Sequence, residues 1–168
     1  DAARMVAETL RHCGRIDILV NSAGMIDAGG LEGLSAEGWQ RVIAVNLMGT
    51  IHSCRAALPH MKAQGSGDII NISSTAGRRA AGLMGAYSTA KFGLTGFTEG
   101  LRQELGAHGV RVSIVEPGAT ATEVAAGISD PAMRAAMGLP VDAGYRPLDL
   151  DALLKSWSPD GALWYAHA

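Results

Sequence analysis

Apolar residues recur at helical spacing from the start of the chain, through Ala2, Met5, Val6, Thr9, Leu10 and Cys13, and Gly14 supplies a stop. Ile16–Val20 is a short apolar run of strand length, broken by Asn21-Ser22-Ala23-Gly24. So continuous a run predicts a parallel strand buried on both faces. Ser35 is placed to cap a helix that starts near Ala36 and runs, with one irregularity, to about Ala63. Pro59 inside that stretch predicts that the last turn or two is kinked or separate. After Gly65-Ser66-Gly67, Asp68–Ile72 reads as a second strand, followed by a loop of small residues. A helix is then predicted from about Tyr87 to Ala107, stopped near Gly109, and Val110–Val115 is a third strand closed by Glu116-Pro117-Gly118.

Helices alternating with strands across short links imply an α/β domain with a parallel sheet. In such sheets the functional crevice lies beyond the carboxyl ends of the strands. Three segments are therefore expected to converge there: Asn21–Gly24, Ser73–Gly85 and Pro117–Thr122. Toward the end of the chain the pattern weakens. Asp149–Trp157 begins like a helix, Ser158-Pro159-Asp160-Gly161 breaks it, and Leu163-Trp164-Tyr165-Ala166 is not read as a final strand.

The chain has 168 residues, enough for one domain with a core and too few for two. Its net charge of −2 recommends neither a nucleic-acid nor an anionic-membrane partner. The longest apolar candidate, Val42–Ile51, is interrupted by Asn46 and falls well short of the roughly 18 residues that cross a bilayer. No basic-then-apolar leader is visible at the start. Two cysteines, Cys13 and Cys54, suit a reduced, cytoplasmic compartment rather than a disulfide framework. His12, His52, His60, His108 and His167 show no zinc-ligand spacing, so no metal site is expected.

The strongest candidate chemistry is Tyr87-Ser88-Thr89-Ala90-Lys91, because residues four apart on a helix share a face. A free phenol titrates near 10, and a nearby ammonium is expected to lower that value toward a useful acid–base range. Ser73 and Ser74 end the preceding strand, where a hydroxyl can hold a substrate oxygen toward the tyrosine; a turn or helix cap is the plain alternative. Asn46 interrupts the apolar stretch Val42–Met48, so a buried amide needs specific partners there, structural or catalytic. Asn21-Ser22-Ala23-Gly24 is either a simple turn or a place where a flat ligand approaches the backbone.

Together these marks resemble the short-chain dehydrogenase/reductase family. They are Asn21-Ser22-Ala23-Gly24 after a strand, Val45-Asn46-Leu47, Asn71-Ile72-Ser73-Ser74, Tyr87 with Lys91, and Pro117-Gly118 followed by Thr122, over about residues 1–122. The resemblance implies a single Rossmann-like domain that interconverts an alcohol and a carbonyl with NADP or NAD, NADP slightly favoured. It implies that Tyr87 is the acid–base and that Lys91 lowers its pKa and binds the nicotinamide ribose. Ser74 would bind the substrate oxygen, with Ser73 as the fallback, and Asn46 would hold a water in a proton relay. Ala23 and Gly24 would lie along the adenosine side of the cofactor, with Asn21 bracing the central strands. Pro117 and Gly118 would shape the nicotinamide pocket, and Thr120 and Thr122 would hold its carboxamide. Residues 123–147 resemble a flap over the substrate. The helices around 40–63 and 87–107 would pair subunits into a homodimer or homotetramer, with Gly93, Gly96 and Gly100 permitting close packing.

The family's opening strand, Gly-rich turn and helix, which receive the cofactor's pyrophosphate, are not found. The sequence opens in a helix that precedes the family's fourth strand, so a partial doubly wound sheet is expected, on the order of 60–70 residues short at about 30 per unit. An unpaired apolar edge is expected where the earlier strands would lie. Two other functions compete: a non-enzymatic oligomerising module, favoured by the helix glycines, and an epimerase or dehydratase of the extended relatives, which the Asn-Ser-Ala-Gly and Pro-Gly segments disfavour.

Overall fold

The structure, a computed structural model, describes residues 2–118 and the strand 163–166. Helix α1 (Ala2–Cys13) leads into strand β1 (Ile18–Asn21), and α2 (Ala36–Ile43) passes through a π-helical turn (Ala44–Met48) into α3 (Gly49–Gln64). Strand β2 (Gly67–Ile72), a 3₁₀ turn (Thr75–Gly77), α4 (Gly85–Leu105), β3 (Val110–Val115) and β4 (Leu163–Ala166) follow. The four strands form one sheet in the order β3-β2-β1-β4, and every pairing is parallel. This is the parallel α/β architecture expected from the alternation of elements.

The helices end and begin for local reasons that the sequence carries. Gly14 adopts φ +74°, which only glycine reaches without strain, and its amide donates to Leu10 O at 2.9 Å to close α1. Ser35 caps α2 as expected, its hydroxyl accepting from Gly38 N at 3.1 Å. Strand β1 starts two residues later than the apolar run suggested. Ile16 is bonded to a side chain instead of a strand: its amide donates to Gln64 Oε1 at 3.1 Å and its carbonyl accepts from Gln64 Nε2 at 2.8 Å. Pro59 makes no break either, since α3 continues to Gln64. The irregularity sits earlier, at the π turn around Asn46.

Alternation along the strands divides the core. Leu19, Ile69 and Val112 point into a cluster with Val6 of α1, Cys54, Ala57 and Met61 of α3, and Leu101 and Leu105 of α4. Ile18, Val20 and Ile70 face the other way and form a separate cluster with Ile72 and Val115 packed against it. Burial on both faces explains why the strands read as unbroken apolar runs.

At the sheet edge the structure corrects the sequence reading twice. Leu163–Ala166 is a strand, and it pairs with β1 in register Ile18↔Leu163 to Asn21↔Ala166. The edge of β1 that was expected to be bare is therefore paired. Unsatisfied strand amides and carbonyls are costly, and the β-favouring Leu-Trp-Tyr run past the Pro159-Asp160-Gly161 break supplies partners for them.

Candidate active site

Asn21 ends β1, Ser73 follows β2 directly and Pro117 lies two residues past β3, and the backbone ties the last two segments together. Ser73 N donates to Val115 O at 2.7 Å and Thr75 N to Pro117 O at 2.9 Å. Arg78 adds a charged tie, its Nε donating to Glu116 Oε1 at 2.7 Å. Two of the expected segments are thus joined, and the first reaches Asn46 and Lys91 through Gly24. A Cβ placed on Gly24 would stand 3.1 Å from Asn46 Oδ1 and 4.0 Å from Lys91 Nζ, so this glycine keeps the backbone close to both side chains. Thr120, Thr122 and the expected flap 123–147 lie outside the described residues.

Tyr87 and Lys91 occupy the first two turns of α4, on its buried face. Helical spacing brings Lys91 Nζ to 5.5 Å from the centroid of the Tyr87 ring. Lys91 is 4% exposed, and its Nζ donates to Ile72 O at 3.0 Å. Burial disfavours the ammonium and pushes its pKa down to about 8. The same cause pushes the Tyr87 phenol above its ordinary value, and hydrogen bonding with Ser74 opposes this without cancelling it. The expected lowering of the tyrosine is thus not what the protein alone produces. Desolvation outweighs the Ser74 hydrogen bond, and the Lys91 ammonium is directed to the Ile72 carbonyl.

The two serines part company. Ser74 sits on the Tyr87 side, where its hydroxyl also accepts from Ala76 N at 3.1 Å and caps the 3₁₀ turn. Ser73 is buried, with its hydroxyl 3.4 Å from the Lys91 carbonyl oxygen. Asn46 is wholly buried in the π turn: its Nδ2 donates to Met25 O (2.8 Å) and Val42 O (2.9 Å), and its Oδ1 accepts from Met25 N (3.3 Å). The extra backbone residue of a π turn is a common way to re-aim a side chain at a site. Here it lets one amide tie the loop after β1 to the helix.

Below this constellation Asn21 Nδ2 donates to Asn71 Oδ1 at 2.8 Å, joining β1 to β2 at paired positions. Among the described residues, the buried Asn21 Oδ1 and Ser88 Oγ have no hydrogen-bond partner. Asn71 and Arg78 had been given no role from the sequence. An asparagine within the apolar run of β2 carries the same signal that singled out Asn46, and Arg78 is a charged residue at the head of a small-residue loop. Gly93 has a packing reason within its own chain, since a Cβ there would meet Leu47 Cδ2 at 2.9 Å, while Gly96 and Gly100 have open space beside them among the described residues.

A parallel α/β sheet thus carries a buried Tyr–Lys pair beyond its strand ends. The short chain dehydrogenase family model matches residues 1–132, opening helix included. The trans-4-hydroxycyclohexanecarboxylate dehydrogenase of Sinomonas cyclohexanicum is 39% identical over 123 residues, covering 73% of this chain and 47% of the relative. The short-chain reductase protein NovJ of Streptomyces niveus is 45% identical over 117 residues, covering 70% and 44%. Among solved structures, a short-chain dehydrogenase from Streptomyces avermitilis superimposes with a TM-score of 0.69 at 36% identity, over 72% of this chain and 45% of that one. Acetoin dehydrogenase YohF from Salmonella typhimurium gives 0.68 at 33% identity, over 71% and 48%. The chain belongs to the short-chain dehydrogenase family. It spans about half the length of the curated relatives it matches.

Proposed function

We propose that the chain carries the catalytic residues of an NAD(P)-dependent oxidoreductase that interconverts an alcohol and a carbonyl. The observation that carries this reading is the meeting of Ser74, Tyr87 and Lys91 past the end of β2. Tyr87 gives a proton to the substrate oxygen on reduction and takes it on oxidation. Ser74 holds that oxygen toward the phenol. Lys91 has three ammonium protons, of which one goes to Ile72 O, leaving two to bind ribose hydroxyls. Burial already disfavours charge on Lys91, so hydroxyl acceptors beside it would restore the ammonium and, through it, the phenolate. Asn46 fixes the loop at Met25 and leads to the same lysine through Gly24. A positioned acid–base of this kind contributes roughly 10²–10⁴-fold.

The residues fit a dinucleotide. Gly24 brings bare backbone beside Lys91, and Gly118 is exposed, with nothing among the described residues within 4 Å of a Cβ built on it. Ala23 and Gly24 are proposed along the adenosine side and Pro117, Gly118, Thr120 and Thr122 around the nicotinamide, with Asn21 as a brace beneath. When bound, the nicotinamide supplies or takes the hydride. The small and apolar residues of the Thr75–Gly85 loop suit a modestly hydrophobic alcohol or ketone. A homodimer or homotetramer through the helices at 40–63 and 87–107 has support in Met48 (38% exposed), Phe92 (46%) and the open Gly96 and Gly100. A cytoplasmic setting is part of the same reading, and no helix among the described residues is long and apolar enough to cross a membrane.

Titration with NADPH and with NADH, followed by nicotinamide fluorescence, tests the site. Binding of either that weakens at least about tenfold in Lys91→Met is the expected result, since two charge-assisted hydrogen bonds are lost. Equal binding by the wild-type chain and Lys91→Met would remove Lys91 from the cofactor site.

A further inference from the structure

Three consecutive residues at the end of β2 each grip α4. Asn71 Nδ2 donates to Thr98 Oγ1 at 2.9 Å, and Thr98 passes the bond on by donating to Leu94 O at 2.7 Å. Ile72 O receives Lys91 Nζ at 3.0 Å. Ser73 Oγ lies 3.4 Å from Lys91 O, an oxygen that Thr95 Oγ1 also approaches, at 3.1 Å. The turn after Ser74 presses on the same spot. A Cβ on Gly77 would stand 2.8 Å from Lys91 O and 3.0 Å from both Ser73 Oγ and Thr95 Oγ1. All of these side chains except Thr95 are buried, and Thr98 is about two helical turns beyond Lys91.

We propose that Ser73 and the Asn71–Thr98 pair are positioning residues, which fix the register of α4 against β2 and thereby place Tyr87 and Lys91 opposite Ser74. None of the three is needed to touch substrate. Apolar packing alone holds a helix on a sheet without choosing its register sharply, because Leu94, Leu101 and Leu105 make non-directional contacts. Hydrogen bonds at Lys91 O and at Thr98 are directional and straddle the lysine's turn. Register matters here because a misplacement of about 1 Å at a reacting pair costs on the order of 100-fold in rate. The adjacent serines therefore divide the work, Ser74 toward the phenol and Ser73 toward the backbone that carries the lysine.

This inference rests on the acid–base reading above, and the test separates the two. Steady-state kinetics are compared for Thr98→Val, which keeps the shape and loses the hydroxyl, for Ser73→Ala, and for Thr98→Ser, which restores the hydroxyl. Each loss variant is expected to lower kcat about three- to tenfold, the value of one neutral hydrogen bond, with KM within about twofold and Thr98→Ser close to wild type. A second measurement needs no turnover. Lys91-Phe92 is the only Lys-Phe pair in the chain, so ¹³C-carbonyl lysine with ¹⁵N phenylalanine isolates the Lys91 carbonyl resonance. That resonance is expected to move in Ser73→Ala. An unmoved resonance overturns the proposal, as does unchanged kcat in both loss variants or a loss that Thr98→Ser fails to restore. Full turnover in Tyr87→Phe would instead defeat the acid–base reading, whatever the carbonyl shows.

Discussion

Lys91 carries its charge at a cost that can be measured. Burial brings its pKa down to about 8, while the unfolded chain keeps a lysine protonated to about 10.4. Between those values the unfolded state binds more protons, so stability rises with pH across that window. From about 9 the buried Cys54 thiol, pushed up to about 12, opposes that rise because the folded state then holds the extra proton, and above about 10 Tyr87, also pushed up, acts in the same sense. Urea midpoints for the wild type are expected to increase from pH 7.5 to about 9, and those of Lys91→Met to lack that increase. A parallel rise in both proteins would mean that another group is responsible. The sequence made Tyr87 and Lys91 visible through their spacing, yet gave the wrong direction for the phenol. Spacing reports that two groups share a face, whereas the balance of desolvation and charge depends on where the ammonium points, and here it points at Ile72 O.

The π turn and the 3₁₀ turn are the two irregular elements that bring loops onto the site. In the first, Asn46 satisfies Met25 N, Met25 O and Val42 O at once. Asn46→Leu strands those groups and is expected to destabilise by about 1–3 kcal/mol, which chemical denaturation would register. A loss below about 0.5 kcal/mol would show that the amide does not hold the turn. In the second, Gly77 lies against the Lys91 carbonyl with no room for a methyl. Gly77→Ala is expected to cost about 1–3 kcal/mol, the usual price of overpacking. At about 2–4 °C per kcal/mol for a chain of this size, an unchanged Tm would contradict the close contact. Among the described residues, apolar periodicity located every long helix and three of the four strands. It did not locate the irregularity, because Pro59 is a visible helix breaker whereas a π turn leaves no periodic mark. Pro59 is tolerated in α3, whose break in pattern comes instead at Asn46.

Across the molecule, the sheet depends on pairing between distant parts of the chain. Strand β1 lies between β2 and β4, and β4 comes from residues 163–166. Ending the chain at residue 162 would expose a parallel apolar edge, and such edges recruit other chains. The shortened protein is expected to scatter light and elute as aggregate under conditions where the 168-residue chain does not. A monodisperse short form would mean that β4 is dispensable. This pairing was not legible beforehand because strand partners separated by about the whole chain leave no local signature, and four residues after a Pro-Asp-Gly break are a weak strand signal. The meeting of the segments after β2 and β3, by contrast, was legible, since it follows from strand direction alone. The most direct measurement is turnover of an alcohol or ketone substrate with NADP(H) or NAD(H) by the wild type and Tyr87→Phe. A fall of about 100-fold or more, with the fold intact by circular dichroism, is the expected result. Turnover in Tyr87→Phe equal to that of the wild type would contradict the assignment of Tyr87 as the acid–base.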